Sequence, residues 1–415
     1  MNVHADPEVV DVVKKLALEG FEGAGQPGIG SMEKYRRLRD TGTRLWLDTG
    51  DLNAASKVWS SEIEALTTNN TLVNQVVQTG LMDDVIAYAD EKIRALRPDI
   101  SEHDLVVEIA FLVNARLALD LVGKLGAHVS VELHPATAFD IEQTLVFARR
   151  YYDINKDYFY VKVPLTADGF IATRRLSDEG IPVNYTLGFS ARQNYLAARF
   201  SMPRFVNVFL GRLNSLVEEN GLGDPENVGE KATLASYEFV KGLRESDSSV
   251  PTQQIAASIR SGGQVAVLAG VDVQTIPPKA AAEYLSMDIS SDQVRRRKSS
   301  ELEVELAHEG LAKSVNLNVL WDVDDRFIAF VEDAAAQADE MCCGRDLMRV
   351  ALEHGVDIFR EWSKEERRVI REHGKIPDLK QWPGMPIDDL LAISALESFV
   401  VDQGALDDRI RGMLK

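Results

Sequence analysis

The sequence predicts an α/β chain built as a (β/α)8 barrel with additional helices at both ends. Three observations point there. Short β-like runs alternate with longer amphipathic helical patterns about eight times. The β-like runs end in polar or ionisable residues, as barrel strands do where they carry a site. After residue 280 the pattern is almost wholly helical. A doubly wound sheet is the alternative, but the strand count and the position of the polar residues favour the barrel. The chain of 415 residues divides on this reading into a helical extension at 1–42, a catalytic barrel at 43–280 and a helical region at 281–415 packed on the barrel.

Residues 1–42 read as one or two helices joined by Gly23-Ala24-Gly25-Gln26-Pro27-Gly28. That link matches G-x-G-x-x-G literally, but a helical segment precedes it where a dinucleotide site needs a strand, and Pro27 suits a turn, so a Rossmann site is rejected. Strands are predicted at Arg44–Asp48, Ala65–Thr68, His128–Leu133, Phe159–Val163, Pro182–Leu187, Phe205–Phe209, Gln254–Ile259 and Asp272–Thr275. Helical spacing of apolar residues runs over Leu105–Gly123, Ala138–Tyr152, Asn194–Phe200 and Ala232–Leu243. Beyond the barrel it continues over Asp322–Ala338, Leu347–Glu361 and Ile387–Leu414, with Pro377, Pro383 and Pro386 marking a loop before the last.

Composition narrows the function. The hydrophobic fraction of 45% and charged fraction of 27% are those of a globular protein. No window reaches the apolar length of a membrane span, and the N-terminus has neither the basic start nor the apolar stretch of a targeting segment. The net charge of −19 argues against nucleic acid or an anionic membrane as the main partner, while leaving room for local arginines to hold a small phosphorylated substrate. Cys342 and Cys343 are adjacent and give neither a disulfide framework nor a metal-ligand spacing. A cytoplasmic protein without metal or cofactor is the expectation.

The run Phe159-Tyr160-Val161-Lys162-Val163-Pro164 sets a cation inside a β-type segment. Desolvating an ammonium group is costly. A free lysine has a pKa of about 10.4; burial favours the neutral amine, which can attack a carbonyl. Lys162 is therefore a candidate Schiff-base nucleophile, the other reading of this segment alone being a strand-end lysine that reaches out to water. The remaining strands supply partners. Asp48 ends the first, Asn69 follows the second, and Ser130 and Glu132 share a face of the third. Asn184 and Thr186 share a face of the fifth, Asn207 and Phe209 of the sixth with Arg212 just beyond, and Ser258 and Arg260 of the seventh.

Chemical roles follow from residue type. Asp48 and Glu132 are the carboxylates available to move protons, and Thr186 can hold a water between them. Asn69 and Asn184 can hydrogen-bond hydroxyls. Arg212 and Arg260 offer guanidinium forks to a phosphate, with Ser258 as a further donor. A phosphorylated polyol bearing a carbonyl is the implied substrate. Two structural alternatives stand beside these roles: Asp48 as the N-cap of a helix over Leu52–Trp59, and Glu132 as a purely structural partner of Lys162. His128 and His134 read as structural, and Phe209 as pocket wall.

With these residues in view, the chain resembles a transaldolase over about 43–280. Leu47-Asp48-Thr49-Gly50-Asp51 resembles the family's first-strand acid motif. Ala65-Leu66-Thr67-Thr68-Asn69-Asn70-Thr71-Leu72 resembles its T-T-N-P-T/S-L signature, and Val129-Ser130-Val131-Glu132 its V-S-x-E. Tyr160-Val161-Lys162-Val163-Pro164 resembles the Schiff-base motif and Asn184-Tyr185-Thr186-Leu187-Gly188-Phe189-Ser190 the N-x-T-L-x-F-S motif. Phe209-Leu210-Gly211-Arg212 and Ala257-Ser258-Ile259-Arg260 resemble the phosphate-site motifs, Thr275-Ile276-Pro277-Pro278 the eighth-strand ending, and Phe399-Val400-Val401-Asp402-Gln403 the closing helix.

The resemblance implies that Lys162 attacks C2 of a ketose phosphate. Glu132 and Thr186 would position the water that forms and hydrolyses the carbinolamine, and Asp48 would take the C4 hydroxyl proton as C3–C4 breaks. Asn69 and Asn184, with Ser130, Asn207 and Phe209 around them, would hold the three-carbon unit; Arg212, Ser258 and Arg260 would hold the phosphate. A homodimer is implied by the same analogy. The chain departs from the pattern at Asn70, where the signature has Pro, at Asn207, where serine is common, and at Gly188, where a larger residue is frequent. Competing expectations are a fructose-6-phosphate aldolase-type lyase and a sugar-phosphate-binding protein without turnover. Phe209, lacking the aromatic hydroxyl associated with the aldolase type, leans toward the transferase.

Overall fold

The computed structural model describes residues 2–414 apart from 27, 29 and 308–310; Pro27, read as a turn residue, lies outside the described residues. Eight parallel strands close into a barrel in sequence order. They are β1 (Arg44–Asp48), β2 (Ile63–Thr67), β3 (His128–Glu132), β4 (Phe159–Pro164), β5 (Val183–Thr186), β6 (Phe205–Phe209), β7 (Gln253–Ala257) and β8 (Val273–Ile276). Helices connect successive strands, so the chain is the predicted (β/α)8 barrel with extra helices.

The barrel interior is layered. Its floor is apolar: Trp46, Ala65, Phe205, Ile255, Ala257 and Val273 pack together, with Tyr160 against them. Trp46 stacks on Tyr160 at 5.5 Å and meets Phe205 edge-on at 4.7 Å. Each such aromatic buries on the order of 150–250 Å², which at roughly 25 cal/mol per Å² is several kcal/mol of transfer free energy. Side chains two residues further along point into the same lumen one layer up, and on five strands these are polar: Asp48, Thr67, Lys162, Asn207 and Thr275, while β7 brings Ala257 to that level. Alternation thus makes one strand set serve both floor and site.

Flanking segments pack onto this frame. The helix Pro7–Leu18 begins at Asp6, whose carboxylate accepts the Glu8 amide at 2.9 Å. The rejected glycine motif lies against the long helix Glu102–Leu125: the Gly25 amide donates to Val122 O at 3.1 Å, and a Cβ on Gly25 would sit 2.4 Å from Gly123 O. That glycine serves close backbone packing. Where one helix is predicted over Leu347–Glu361, the chain forms the helix Gly344–Glu353. It stops because Gly355 takes φ +65°, which an apolar-periodicity argument does not see. A separate helix follows at Lys364–His373, capped by Ser363.

The last helix, Ile387–Arg411, is tied to the loops that follow several strands. At its start Asp388 forms a buried bidentate pair with Arg192 (2.7 and 2.8 Å) and accepts from Ser190 at 2.7 Å, both just after β5. Asp402 accepts from Thr71 after β2, and Asp407 lies 3.3 Å from His134 after β3. Arg409 pairs with Asp83 at 2.6 Å. The helix therefore runs across the C-terminal mouth of the barrel.

Candidate active site

β4 presents Lys162 to the lumen, where it is 4% exposed. Parallel pairing puts Glu132 beside it on one side and Asn184 on the other. The Lys162 ammonium nitrogen lies 3.5 Å from Glu132 Oε2 and donates to Thr68 O at 3.1 Å. β1 and β2 pair Asp48 with Thr67. Thr67 Oγ1 donates to Asp48 Oδ1 at 2.7 Å and lies 2.7 Å from Thr275 Oγ1, which orients the Asp48 carboxylate. Asp48 is not a helix cap: Asp51 caps the short helix Leu52–Ser56.

Both carboxyls are held above the usual carboxylate range. Burial raises Glu132, and the Lys162 charge opposes it. Burial likewise raises Asp48, opposed by Lys162 and by the Thr67 hydroxyl. Two carboxyls whose proton affinity is raised, both within the field of one amine, are suited to moving protons. Glu132 Oε1 and Thr186 Oγ1 are buried and have no hydrogen-bond partner among the described residues. Buried polar atoms of this kind are normally satisfied, so both are available to a water or a substrate hydroxyl.

A cavity of about 180 Å³ opens on this layer. Of the residues singled out in the sequence, Asp48, Asn69, Lys162, Asn184, Asn207, Phe209, Arg212 and Ser258 line it. Glu132, Ser130 and Thr186 lie behind that wall, all 1% exposed or less. Ser130 Oγ accepts from Asn184 Nδ2 at 2.9 Å, leaving Asn184 Oδ1 without a partner among the described residues. Asn69 caps the helix Asn70–Val77 through its Oδ1. The Asn207 amide is engaged by the backbone, donating to Tyr185 O at 2.6 Å and accepting from Gly188 N at 3.4 Å. Gly188 is required there: a Cβ would stand 2.2 Å from Asn207 O.

The far end of the cavity departs from expectation at Arg260. β7 ends at Ala257, and Ser258 takes φ +61°. The alternation that would align Ser258 with Arg260 is broken at that point. Arg260 is exposed, its guanidinium donates to Ser215 Oγ at 2.6 Å, and it does not line the cavity. It passes Gly211, where a Cβ would be 2.5 Å from Arg260 Nε. Arg212 does line the cavity, but held by the C-terminal segment: it donates to Ser398 Oγ at 2.9 Å and Lys375 O at 3.1 Å and lies 5.9 Å from the Phe399 ring. Burial, helped by the nearby Arg260 charge, pushes its guanidinium down to about 10.

Thr67, Thr275, Ser398 and Phe399 are site neighbours that sequence reasoning missed. The parity of β2 and β8 carried the signal for the two threonines. Phe399 opens the motif that resembles the closing helix, but nothing local carried the signal for Ser398, which lies 186 residues from Arg212 in sequence.

The comparisons with known proteins come to the same barrel. Residues 45–337 match the family model described as transaldolase/fructose-6-phosphate aldolase. A "Probable transaldolase" of Thermus thermophilus is 30% identical over 256 residues, which is 61% of this chain and 95% of the relative. A "Transaldolase" of Prochlorococcus marinus is 25% identical over 303 residues, 70% of this chain and 84% of the relative. A "Probable transaldolase" of Symbiobacterium thermophilum is 35% identical over 151 residues, 36% of this chain and 62% of the relative. The family match stops short of the helix Ile387–Arg411, whose Ser398 holds Arg212. With its closed barrel, its buried lysine on β4 and these matches, the chain belongs to the transaldolase/fructose-6-phosphate aldolase family.

Proposed function

We propose that the chain is a transaldolase, moving a dihydroxyacetone unit from a ketose phosphate (sedoheptulose 7-phosphate or fructose 6-phosphate) to an aldose phosphate (glyceraldehyde 3-phosphate or erythrose 4-phosphate), as in the pentose phosphate pathway. The observation that carries this reading is Lys162: a buried amine 3.5 Å from Glu132, facing a cavity whose wall also holds Asp48. Lys162 passes a proton to Glu132, and the resulting amine attacks C2 of the ketose. Glu132 returns that proton to the carbinolamine oxygen, which leaves as water held with the help of Thr186, giving an iminium. Asp48 takes the C4 hydroxyl proton. The C3–C4 bond breaks, its electron pair moves into the iminium to form an enamine, and an aldose departs. The enamine then attacks the acceptor aldehyde, Asp48 returns the proton, and water activated at Glu132 releases the product. Asn69 and Asn184 orient hydroxyls; Arg212 and Ser258 hold the phosphate end, with Arg260 joining once its guanidinium leaves Ser215.

The test is borohydride trapping with fructose 6-phosphate and peptide mass mapping. A reduced three-carbon adduct on Lys162 is expected. An unmodified Lys162 in folded, ligand-binding protein overturns the mechanism and favours binding without turnover. The family's description covers a lyase as well as a transferase. Phe209, an aromatic wall without a hydroxyl, favours the transferase. Formation of sedoheptulose 7-phosphate from fructose 6-phosphate and erythrose 4-phosphate, outpacing release of free dihydroxyacetone, is the discriminating measurement.

A further inference from the structure

The charge of Arg212 is not committed to a carboxylate. Its guanidinium makes no ion pair among the described residues. It is held by two uncharged acceptors, the Ser398 hydroxyl at 2.9 Å and the Lys375 carbonyl at 3.1 Å. A guanidinium carries more N–H groups than these two contacts use, and the rest take no hydrogen bond among the described residues. The arginines of the adjoining helix Lys364–His373 differ: Arg367 and Arg371 are both paired with Glu397, at 2.6 Å.

The two acceptors are fixed before any ligand arrives. Ser398 is buried in the helix Ile387–Arg411 and donates its own proton to Ala395 O at 2.8 Å. Its lone pairs are therefore what it offers Arg212. Lys375 follows the helix Lys364–His373, which Gly374 ends at φ +120°. Glu397, fully buried beside Ser398, grips that helix through Arg367 and Arg371 and so fastens one acceptor relative to the other. The nearby acid is Asp402, whose charge acts on Arg212. It lies one turn beyond Ser398 on the same helix face, and its carboxylate accepts from Thr71 instead.

We infer that Ser398 is a positioning residue for phosphate recognition: it holds the Arg212 guanidinium on a neutral acceptor, clear of Asp402, and leaves its charge and spare N–H groups to the cavity that Arg212 and Ser258 line. The inference rests on the proposed function, in which Arg212 takes the phosphate. Preference for a phosphorylated donor is then set by a residue beyond the segment, 45–337, that matches the family model.

The test compares KM and kcat for fructose 6-phosphate and for unphosphorylated fructose, each with saturating erythrose 4-phosphate. Ser398→Ala should raise KM for fructose 6-phosphate about fivefold, with kcat within about twofold and kcat/KM for fructose unchanged. Ser398→Thr keeps the hydroxyl and should stay close to the parent. Ser398→Asp replaces the neutral acceptor with a charge that pairs with the guanidinium, and should raise KM at least as far as Arg212→Ala does. In the Arg212→Ala background, Ser398→Ala should add nothing.

The inference is overturned by a Ser398→Ala effect that persists undiminished in that background, by an equal loss on fructose, or by a Ser398→Asp variant that takes fructose 6-phosphate as well as the parent. An Arg212→Ala variant with unmoved KM removes the phosphate assignment and this inference together. Calorimetric titration of fructose 6-phosphate into the same variants reads the coupling without turnover. A chain that binds with this pattern but transfers nothing would fail the transaldolase reading and keep the role of Ser398.

Discussion

The two sides of the barrel mouth are built differently. On the β1–β5 side, Asp48, Glu132, Lys162 and Asn184 are set by strand pairing, with neighbours in register and polar atoms a few ångströms apart. Burial there raises both carboxyls. On the β6–β7 side, the groups suited to phosphate sit past the strand ends, on a turn with Ser258 at φ +61° and on an arginine gripped by a helix from the far end of the chain. The first side is rigid because its geometry belongs to the sheet. The second depends on a loop and on the C-terminal helix. Proton chemistry benefits from the former, since small displacements are costly to it; recognition of a charged end group tolerates the latter.

The largest test of the rigid side is Lys162→Ala. Loss of the nucleophile should lower kcat/KM by about four orders of magnitude or more, while phosphorylated ketose still binds, since Arg212 and Ser258 are untouched. Loss of binding together with turnover, in a protein that keeps its circular dichroism, would mean that the two sides are not separable.

Asp48→Asn should separate activity from stability. Turnover should fall by about 10²–10⁴. The folded protein holds Asp48 above its ordinary carboxylate range, so the stability linked to this group is fully present below the unfolded pKa and is lost as pH rises through the folded one. Asparagine removes that loss. The melting temperature of the variant should exceed that of the parent at pH 7, and the gap should close toward pH 3. A variant less stable than the parent at pH 7 would show that Asp48 is a net stabilising partner of Lys162.

On the other side, Arg212→Ala should raise KM for phosphorylated ketoses with little change in kcat. A charge-assisted contact is worth about 1.5–3 kcal/mol, or roughly 10–150-fold. Arg260→Ala should do less, about fivefold or under, because its guanidinium rests on Ser215 outside the cavity. Equal effects would mean that Arg260 swings in when substrate binds. Either variant acting equally on a non-phosphorylated ketose would sink the phosphate assignment for that residue.

The same division explains what was legible in the sequence. Parity along β3, β4 and β5 is a two-residue rule, and where strands stay regular it delivered neighbours such as Glu132 and Lys162 correctly. It failed at Ser258, where one left-handed residue re-aims everything after it, so Arg260 was expected on a face it does not occupy. The helix over Leu347–Glu361 failed for the same reason, at Gly355. The Ser398 grip on Arg212 depends on how a distant helix crosses the mouth, which no local pattern encodes.

The finest test lies at Asn70, the position where this chain lacks the proline of the family signature. Asn70 opens the helix Asn70–Val77, a position that favours proline, and Asn69 before it is extended at φ −156° and ψ 170°, as a residue preceding proline must be. The Asn70 side chain is 1% exposed, and neither of its polar atoms has a partner among the described residues. A buried unsatisfied amide costs about 1–3 kcal/mol. Asn70→Pro should therefore raise the melting temperature by a few degrees. Lys162, however, and to a lesser degree the backbone amide of Asn70, hold the Glu132 carboxyl down against burial, and proline has no N–H to replace that amide. Glu132 should then titrate at higher pH, moving its limb of the kcat/KM profile upward while the rate at the optimum changes little. A stabilised variant with an unmoved profile would show that the amide plays no part in tuning Glu132. A shifted profile would identify Asn70 as the residue through which this chain trades stability for a better-placed carboxyl.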